Sequence, residues 1–292
     1  WAELAAPAGL AEELAFCAPE AEALRTAVNE HGWDGAWYWR ATKDSGEKLG
    51  SASCAQGRIY LNAQTWAVIG GTASPERAGA AMAAVEEHLD REYGPLLFAP
   101  AYGAVDPDIG YITRYAPGRR ENGGLYTHAG TWAVLAEALL GRGARAYAIF
   151  SRINPVLRGL EPELYQSEPY VTPGNVDGPD SPQFGRGGWS WYTGSAAWLF
   201  RVAMEGILGL RATHEGLLID PCLPPDWKGF RVERRFRGAV YQITVENPRG
   251  VEKGGLTVEV DGVSFPERRP DGACVLPPFP AGSAHRVHVI MK

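Results

Sequence analysis

The sequence predicts a mainly α-helical chain, built from hairpins of an α/α toroid and followed by a small antiparallel, sandwich-like β domain at its C-terminus. Three observations carry this expectation. Apolar residues recur at helical spacing, in paired segments, over the first two-thirds of the chain. Long connections rich in Gly and aromatic residues separate the pairs, as in a toroid whose loops form a site at one end of a helix-lined pit. From about Thr213 the apolar period drops to two, so the expected division is residues 1–212 and 213–292.

In chain order, the first expected helix is Pro19–His31, whose apolar residues recur at helical spacing. Asn62–Val68 and Pro75–Leu89 form a second pair around the breaker GGTAS. Gly130–Leu140 is interrupted at GRG and resumes over Ala144–Ile153, and a last helix spans about Gly194–Leu210. LLIDPCLPPDW then reads as a Pro-rich connection. FRVERRFRGAVYQITVEN, LTVEVDG and HRVHVIM alternate apolar and polar residues, as half-buried strands do. This closing segment lacks the Trp and Gly density of the earlier loops, which gives it a packing role.

Composition narrows the function. With 45% hydrophobic and 21% charged residues and a net charge of -6, the chain lacks the basic excess of a nucleic-acid binder. Cys17, Cys54, Cys222 and Cys274 show no CxxC spacing and no paired histidine, so neither a metal site nor a disulfide framework is expected. Scattered free thiols fit a reducing, cytoplasmic setting. No stretch of about 18 apolar residues marks a membrane span. The first residue is Trp1 rather than Met, which predicts a fragment or a chain with its beginning removed. Ten tryptophans offer flat faces that either fill a core or stack on a pyranose ring.

Three loops concentrate the reactive groups. Asp34 lies in WDGAWYWR, where partial burial among rings would disfavour ionisation, as a general acid requires; an Asp-Gly turn is the alternative. In RRENGGLYTH, Asn122-Gly123-Gly124 lets the backbone approach a ligand, Glu121 can accept sugar hydroxyls and His128 can donate to an anion, unless it is structural. Thr193 and Gly194 precede the last helix, whose N-terminal N–H groups suit a phosphate, with Thr193 equally able to cap. Glu168 in SEPYV is a further carboxylate. An inverting hydrolase would need Glu168 or Glu121 as base, whereas a phosphorylase needs one acid and an anion pocket.

WDGAWYWRATKDSGEKLGS, RRENGGLYTHAGTW and GRGGWSWYTGSAAWLFRVAMEGILGL together resemble glycoside hydrolase family 94, in consistent order over about Trp33 to Leu210. That family contains cellobiose, chitobiose and β-1,2-oligoglucan phosphorylases and the C-terminal part of cyclic β-1,2-glucan synthases. The resemblance implies inverting phosphorolysis of a β-linked sugar on an (α/α)6 barrel, with inorganic phosphate as co-substrate and no cofactor. It makes Asp34 the general acid and Trp33 a sugar platform. His128, Thr193 and Gly194 become phosphate contacts. Tyr115, Arg120, Glu121 and Glu168 become substrate contacts.

Family members are much longer. They carry an N-terminal β-sandwich and the first barrel hairpins, from which an arginine and an aspartate also line the site. About four hairpin-like units leave a six-hairpin ring open, so the chain is expected to be a C-terminal portion, partnered by an N-terminal region of the same enzyme. A second copy in a homodimer is another candidate partner. Hydrolysis on the same toroid and a non-catalytic glycan-binding module remain the competing readings, and a piece of a membrane-tethered synthase would carry the same residues. The GRGGWSWYTGSAAW loop looks closer to the β-1,2-glucan members than to cellobiose phosphorylases.

Overall fold

The structure is a computed structural model that describes residues 5, 7–191 and 193–292; Tyr192 of the third loop lies outside the described residues. Helices dominate the first two-thirds and sheets the remainder. Two compact units share the chain, residues 1–136 with 152–196 and residues 137–151 with 197–292.

The first unit opens with α1 (Ala11–His31), which begins well before Pro19 and keeps that proline in its interior. Ala15 and Pro19 are both exposed, so water can satisfy the carbonyl that proline leaves without a donor. The short hairpin of β1 (Ala41–Thr42) and β2 (Lys48–Leu49) follows. Next, β3 (Ile59–Tyr60) leads into α2 (Leu61–Ile69), and Gly70-Gly71 turns the chain into α3 (Pro75–His88). Ser74 caps α3 by accepting the Arg77 N–H, with Pro75 in the first turn. The hairpin of β4 (Asp90–Arg91) and β5 (Gly94–Pro95) and the pairing of β3 with β6 (Phe98–Ala99) close this part. A 3-10 turn at Tyr111–Arg114 precedes the second loop.

One small sheet matters most for the site. β7 (Leu125–Tyr126) pairs with β8 (Asn175–Val176), which pairs with β9 (Gly187–Gly188), all antiparallel. β7 runs directly into α4 (Thr127–Leu139); after a turn come α5 (Gly143–Ile153), α6 (Pro155–Arg158) and α7 (Pro162–Tyr165). Beyond β9 the chain enters α8 (Ser195–Arg201), which continues as a π-helical turn over Val202–Ile207. The last helix therefore stops short of Leu210. Gly209 breaks it at φ +66, packed so closely on Asp220 that a Cβ would lie 2.1 Å from its carbonyl carbon.

The second unit holds two sheets. β10 (Leu210–Ala212), β11 (Leu217–Ile219) and β16 (Cys274–Leu276) form one, so Leu217–Ile219 is a fully buried strand rather than part of a connection. The other has the order β12 (Gly229–Phe236), β13 (Ala239–Glu246), β17 (Ala284–Met291), β14 (Leu256–Val260), β15 (Val263–Ser264). Burial alternates along β13 and β17, with Tyr241, Ile243, Val245, Val287, Val289 and Met291 inward. Arg237-Gly238 and Asp261-Gly262, both at positive φ, make two-residue hairpin turns. The expectation of a wholly antiparallel domain fails at one pairing, since β13 and β17 run parallel. There the outer edges of two antiparallel ladders, β12–β13 and β14–β17, meet side by side, a junction that alternation within each strand does not reveal.

Candidate functional site

Asp34 sits at the head of a tight loop whose ends are pinned by the Trp33–Tyr38 bridge and by the Asp34 N–H donating to the Trp37 carbonyl at 2.8 Å. The loop is anchored from below by Gln64, a fully buried α2 residue that accepts the Tyr38 N–H and donates to the Tyr38 carbonyl, both at 2.8 Å. The Trp37 indole N–H donates to the Gly50 carbonyl, and the Tyr38 hydroxyl to Asn29 Oδ1 at 2.7 Å. These bonds hold one carboxylate, 16% exposed, at the surface of a rigid frame. Its Oδ2 accepts the Ala52 N–H at 2.6 Å, and its Oδ1 lies 4.0 Å from Lys48 Nζ, beyond hydrogen-bond reach.

Trp33 is half-buried. Its ring takes the edge of Tyr38 at 4.9 Å and lies under the Arg77 guanidinium at 5.0 Å, beside the core cluster of Tyr38, Ala67 and Ala81. Packing therefore accounts for much of its surface. A cavity of about 700 Å3 opens beside this loop, lined by Tyr38, Trp39, Arg40, Asn62, Trp66 and Trp132 among others.

The second loop owes its shape to Asn122, which is fully buried. Its amide donates to the Tyr102 and Tyr115 carbonyls at 2.9 and 2.7 Å, and its Oδ1 accepts the Tyr102 N–H. Gly118, at φ +79, meets the third loop so closely that a Cβ would fall 2.2 Å from Ser181 N. Glu121 is thereby held with its Oε2 buried, 3.5 Å from Arg120 Nε and without a hydrogen-bond donor among the described residues. The Arg120 guanidinium beside it partly offsets the cost of burying that charge. Arg120 is pinned between aromatic faces, 4.6 Å from the Tyr115 ring and 4.1 Å from that of Trp189.

The β7–β8–β9 sheet brings the second and third loops together, and their tips carry the expected anion contacts. His128 stands in the first turn of α4 and tilts against Trp132 at 4.7 Å. Burial lowers its pKa below the ordinary imidazole value. Gly194 faces it, and a Cβ there would lie 3.5 Å from His128 Cε1. Thr193 Oγ1 accepts the Ser195 N–H at 3.0 Å as α8 begins, so it serves as a cap. Trp132 in turn meets Trp66 at 5.2 Å, which links the His128 end to the cavity beside the Asp34 loop.

Glu168 is tied to the third loop just before Thr193. Its Oε1 accepts the Trp191 indole N–H at 3.0 Å, and its pKa is lowered by its own backbone N–H, then by Ser190 and Trp191. Trp191 is 72% exposed and at positive φ, as is Trp189. Of the two buried amides on which both loops depend, Asn122 was expected only as part of a turn approaching a ligand, and Gln64 carried no functional signal in the sequence. Among the described residues, no group of three or more His, Cys, Asp or Glu side chains is placed to hold a metal ion, and no helix is long and apolar enough to cross a membrane.

Comparison with known proteins adds an independent line. The family model of the glycosyl hydrolase 94 superfamily catalytic domain matches residues 1–209, and that of the glycosyl hydrolase family 65 C-terminal domain matches residues 210–264. The chain is 38% identical to solabiose phosphorylase of Paenibacillus borealis over 97% of its own length and 36% of that protein's. It is 39% identical to N,N'-diacetylchitobiose phosphorylase of Vibrio proteolyticus, over 92% of its length and 33% of that relative's. To the cyclic β-(1,2)-glucan synthase NdvB of Rhizobium meliloti it is 44% identical, over 82% of its length and 8% of the synthase. The chain thus spans about a third of the two phosphorylases.

Proposed function

We propose that this chain, which belongs to the glycosyl hydrolase 94 superfamily, carries the acid catalyst and part of the anion pocket of an inverting glycoside phosphorylase acting on a β-linked disaccharide or oligosaccharide. In this reading Asp34 gives its proton to the glycosidic oxygen. Oδ1 holds that proton, because Oδ2 is occupied by the Ala52 N–H. A phosphate oxygen attacks the anomeric carbon from the opposite face, the glycosidic C–O bond breaks, and an α-sugar 1-phosphate leaves with the Asp34 carboxylate to be reprotonated. His128, Thr193 and Gly194 hold the phosphate, and Glu121, Arg120 and Tyr115 hold the sugar. Trp33 supports the Asp34 loop and offers its remaining face to the ring of the substrate.

The observation that supports this reading is the meeting of a half-buried histidine with Gly194 where α8 begins, a combination of groups suited to an anion, on a different loop pair from Asp34. A hydrolase would need a second carboxylate as a good base. Glu168 suits that task poorly, since the hydrogen bonds that lower its pKa also weaken it as a proton acceptor; Glu121 is the remaining candidate base, and sugar release in phosphate-free buffer separates that hydrolase from the phosphorylase. The helices up to Ile207 supply later hairpins of an (α/α)6 toroid, and the strands from Leu210 onward make up a C-terminal β domain. The setting is the cytoplasm, where phosphate is available.

Asp34→Asn tests the assignment directly. In the intact protein this variant loses phosphorolysis by several orders of magnitude while sugar binding, read by calorimetry, is largely kept. Turnover within about tenfold of wild type, the size of a lost hydrogen bond rather than of a lost acid, removes Asp34 from the mechanism.

A further inference from the structure

Away from the proposed sugar site, a serine, a histidine and an aspartate of the C-terminal β domain form a hydrogen-bonded chain. Ser283 and His285 stand two residues apart where β17 begins, so their side chains share one face of the sheet. His285 Nε2 lies 2.9 Å from Ser283 Oγ, and His285 Nδ1 lies 2.7 Å from Asp261 Oδ2. Asp261 is set by the Asp261-Gly262 turn between β14 and β15. Its own N–H donates to the Arg286 carbonyl and its Oδ1 accepts the Arg286 N–H, both at 2.8 Å. The Phe279 ring stacks on the imidazole at 4.0 Å. Both nitrogens and one face of the histidine are therefore held, and its side chain is 19% exposed.

These partners also fix where the imidazole carries its proton. The Arg286 N–H, and then His285, hold the Asp261 carboxyl below the usual carboxylate range, so Asp261 acts as an acceptor. It draws the imidazole proton to Nδ1. Nε2 is left with its lone pair toward Ser283 Oγ, the tautomer that a general base needs. The hydroxyl proton has two acceptors, Nε2 and the Pro280 carbonyl at 2.6 Å, and rotation about Cβ–Oγ moves it from the second to the first. Stabilisation of an oxyanion is weaker, because the Gly282 and Ser283 N–H groups are committed to the Gly238 and Pro280 carbonyls. One such donor is worth about 100- to 1,000-fold in rate, so the esters within reach are those with a good leaving group.

We propose that Ser283 is a nucleophile, activated by His285 and oriented through Asp261, that is acylated by small activated esters. The Ser283 oxygen attacks the ester carbonyl carbon as its proton passes to Nε2. The bond from that carbon to the leaving oxygen breaks, the leaving alcohol takes the proton, and the acyl group stays on Ser283 as an ester. Water, giving a proton to Nε2, then releases the carboxylic acid and restores the hydroxyl. Neither Asp34 nor phosphate takes part.

Incubation of the intact protein with 4-nitrophenyl acetate, acid-quenched at successive times and mapped by peptide mass spectrometry, tests this. Acetyl is expected on Ser283 at least about a hundredfold faster than on Ser45, an exposed serine of the β1–β2 hairpin, the size of a general-base contribution. His285→Gln removes most of that advantage and Asp261→Asn lowers it. Equal rates at Ser283 and Ser45 in the wild-type protein overturn the proposal, and that comparison does not depend on either variant folding. So does an acetylation rate at Ser283 that His285→Gln leaves unchanged, or an acetyl group found on His285 in place of Ser283.

Discussion

As the proposed acid, Asp34 can work only as well as the residues that hold its loop, and Gln64 is central among these. Its side chain satisfies both the N–H and the carbonyl of Tyr38 inside the core. Gln64→Leu is close in volume but leaves two buried backbone groups unpaired, at about 1–3 kcal/mol each. The variant is expected to melt earlier and to lose kcat more than KM, because the acid is displaced while the Arg120–Glu121 side is untouched; an unchanged melting temperature and kcat would contradict the role given to it. His128 makes a second residue-scale prediction. Burial depresses its pKa, so the unfolded chain takes up this proton at a higher pH than the folded one. Its contribution to stability is therefore complete above the unfolded value of 6.5 and is lost as pH falls from there through the lower folded value. Melting curves from pH 8 to 5 should show a smaller acid loss in His128→Gln than in wild type. Equal losses would mean that the histidine is not desolvated as described.

At the scale of elements, α2, α3 and α5 fall within about a residue or two of their expected bounds, because GGTAS and GRG punctuate them and their apolar periodicity is intact. α1 and the last helix were read less well. Proline signals a helix start more often than an interior position, so the turns before Pro19 were not expected, and the apolar run through Leu210 hid the break that Gly209 imposes by its contact with Asp220. The pairs β3–β6 and β7–β8–β9 were invisible for a simpler reason. Strands of two residues have no period to detect, and their partners lie far apart in sequence. Yet β7–β8–β9 is the element that joins the two loops bearing Glu121, His128 and Gly194. The motifs thus named the residues of the candidate site, while the strands that juxtapose them emerged only from the fold. Pro19 supplies the prediction at this scale. It is exposed, so Pro19→Ala removes no packing and restores one helical hydrogen bond. α1 is expected to gain up to about 3 kcal/mol, read as slower amide exchange over its first half, and no change in exchange there would contradict its interior placement.

Across the whole molecule, the two compact units are interleaved in sequence, since residues 137–151 belong with 197–292. In the second unit the Tyr147 and Trp227 rings meet at 5.0 Å, and burial raises the thiols of Cys222 and Cys274, to about 12 and about 11. Protonated, buried thiols of this kind are unreactive, in keeping with cysteines that fill space. The residues proposed for phosphorolysis lie instead in the first unit, where Asp34 and the proposed anion contacts His128, Thr193 and Gly194 stand on separate loops. The claim that joins them is that phosphate, not water, is the nucleophile. Product formation from a β-linked disaccharide by the intact protein, followed by NMR with and without inorganic phosphate, tests it most directly. The account predicts an α-configured sugar 1-phosphate that accumulates only when phosphate is present. Release of free sugars at the same rate in phosphate-free buffer would contradict it.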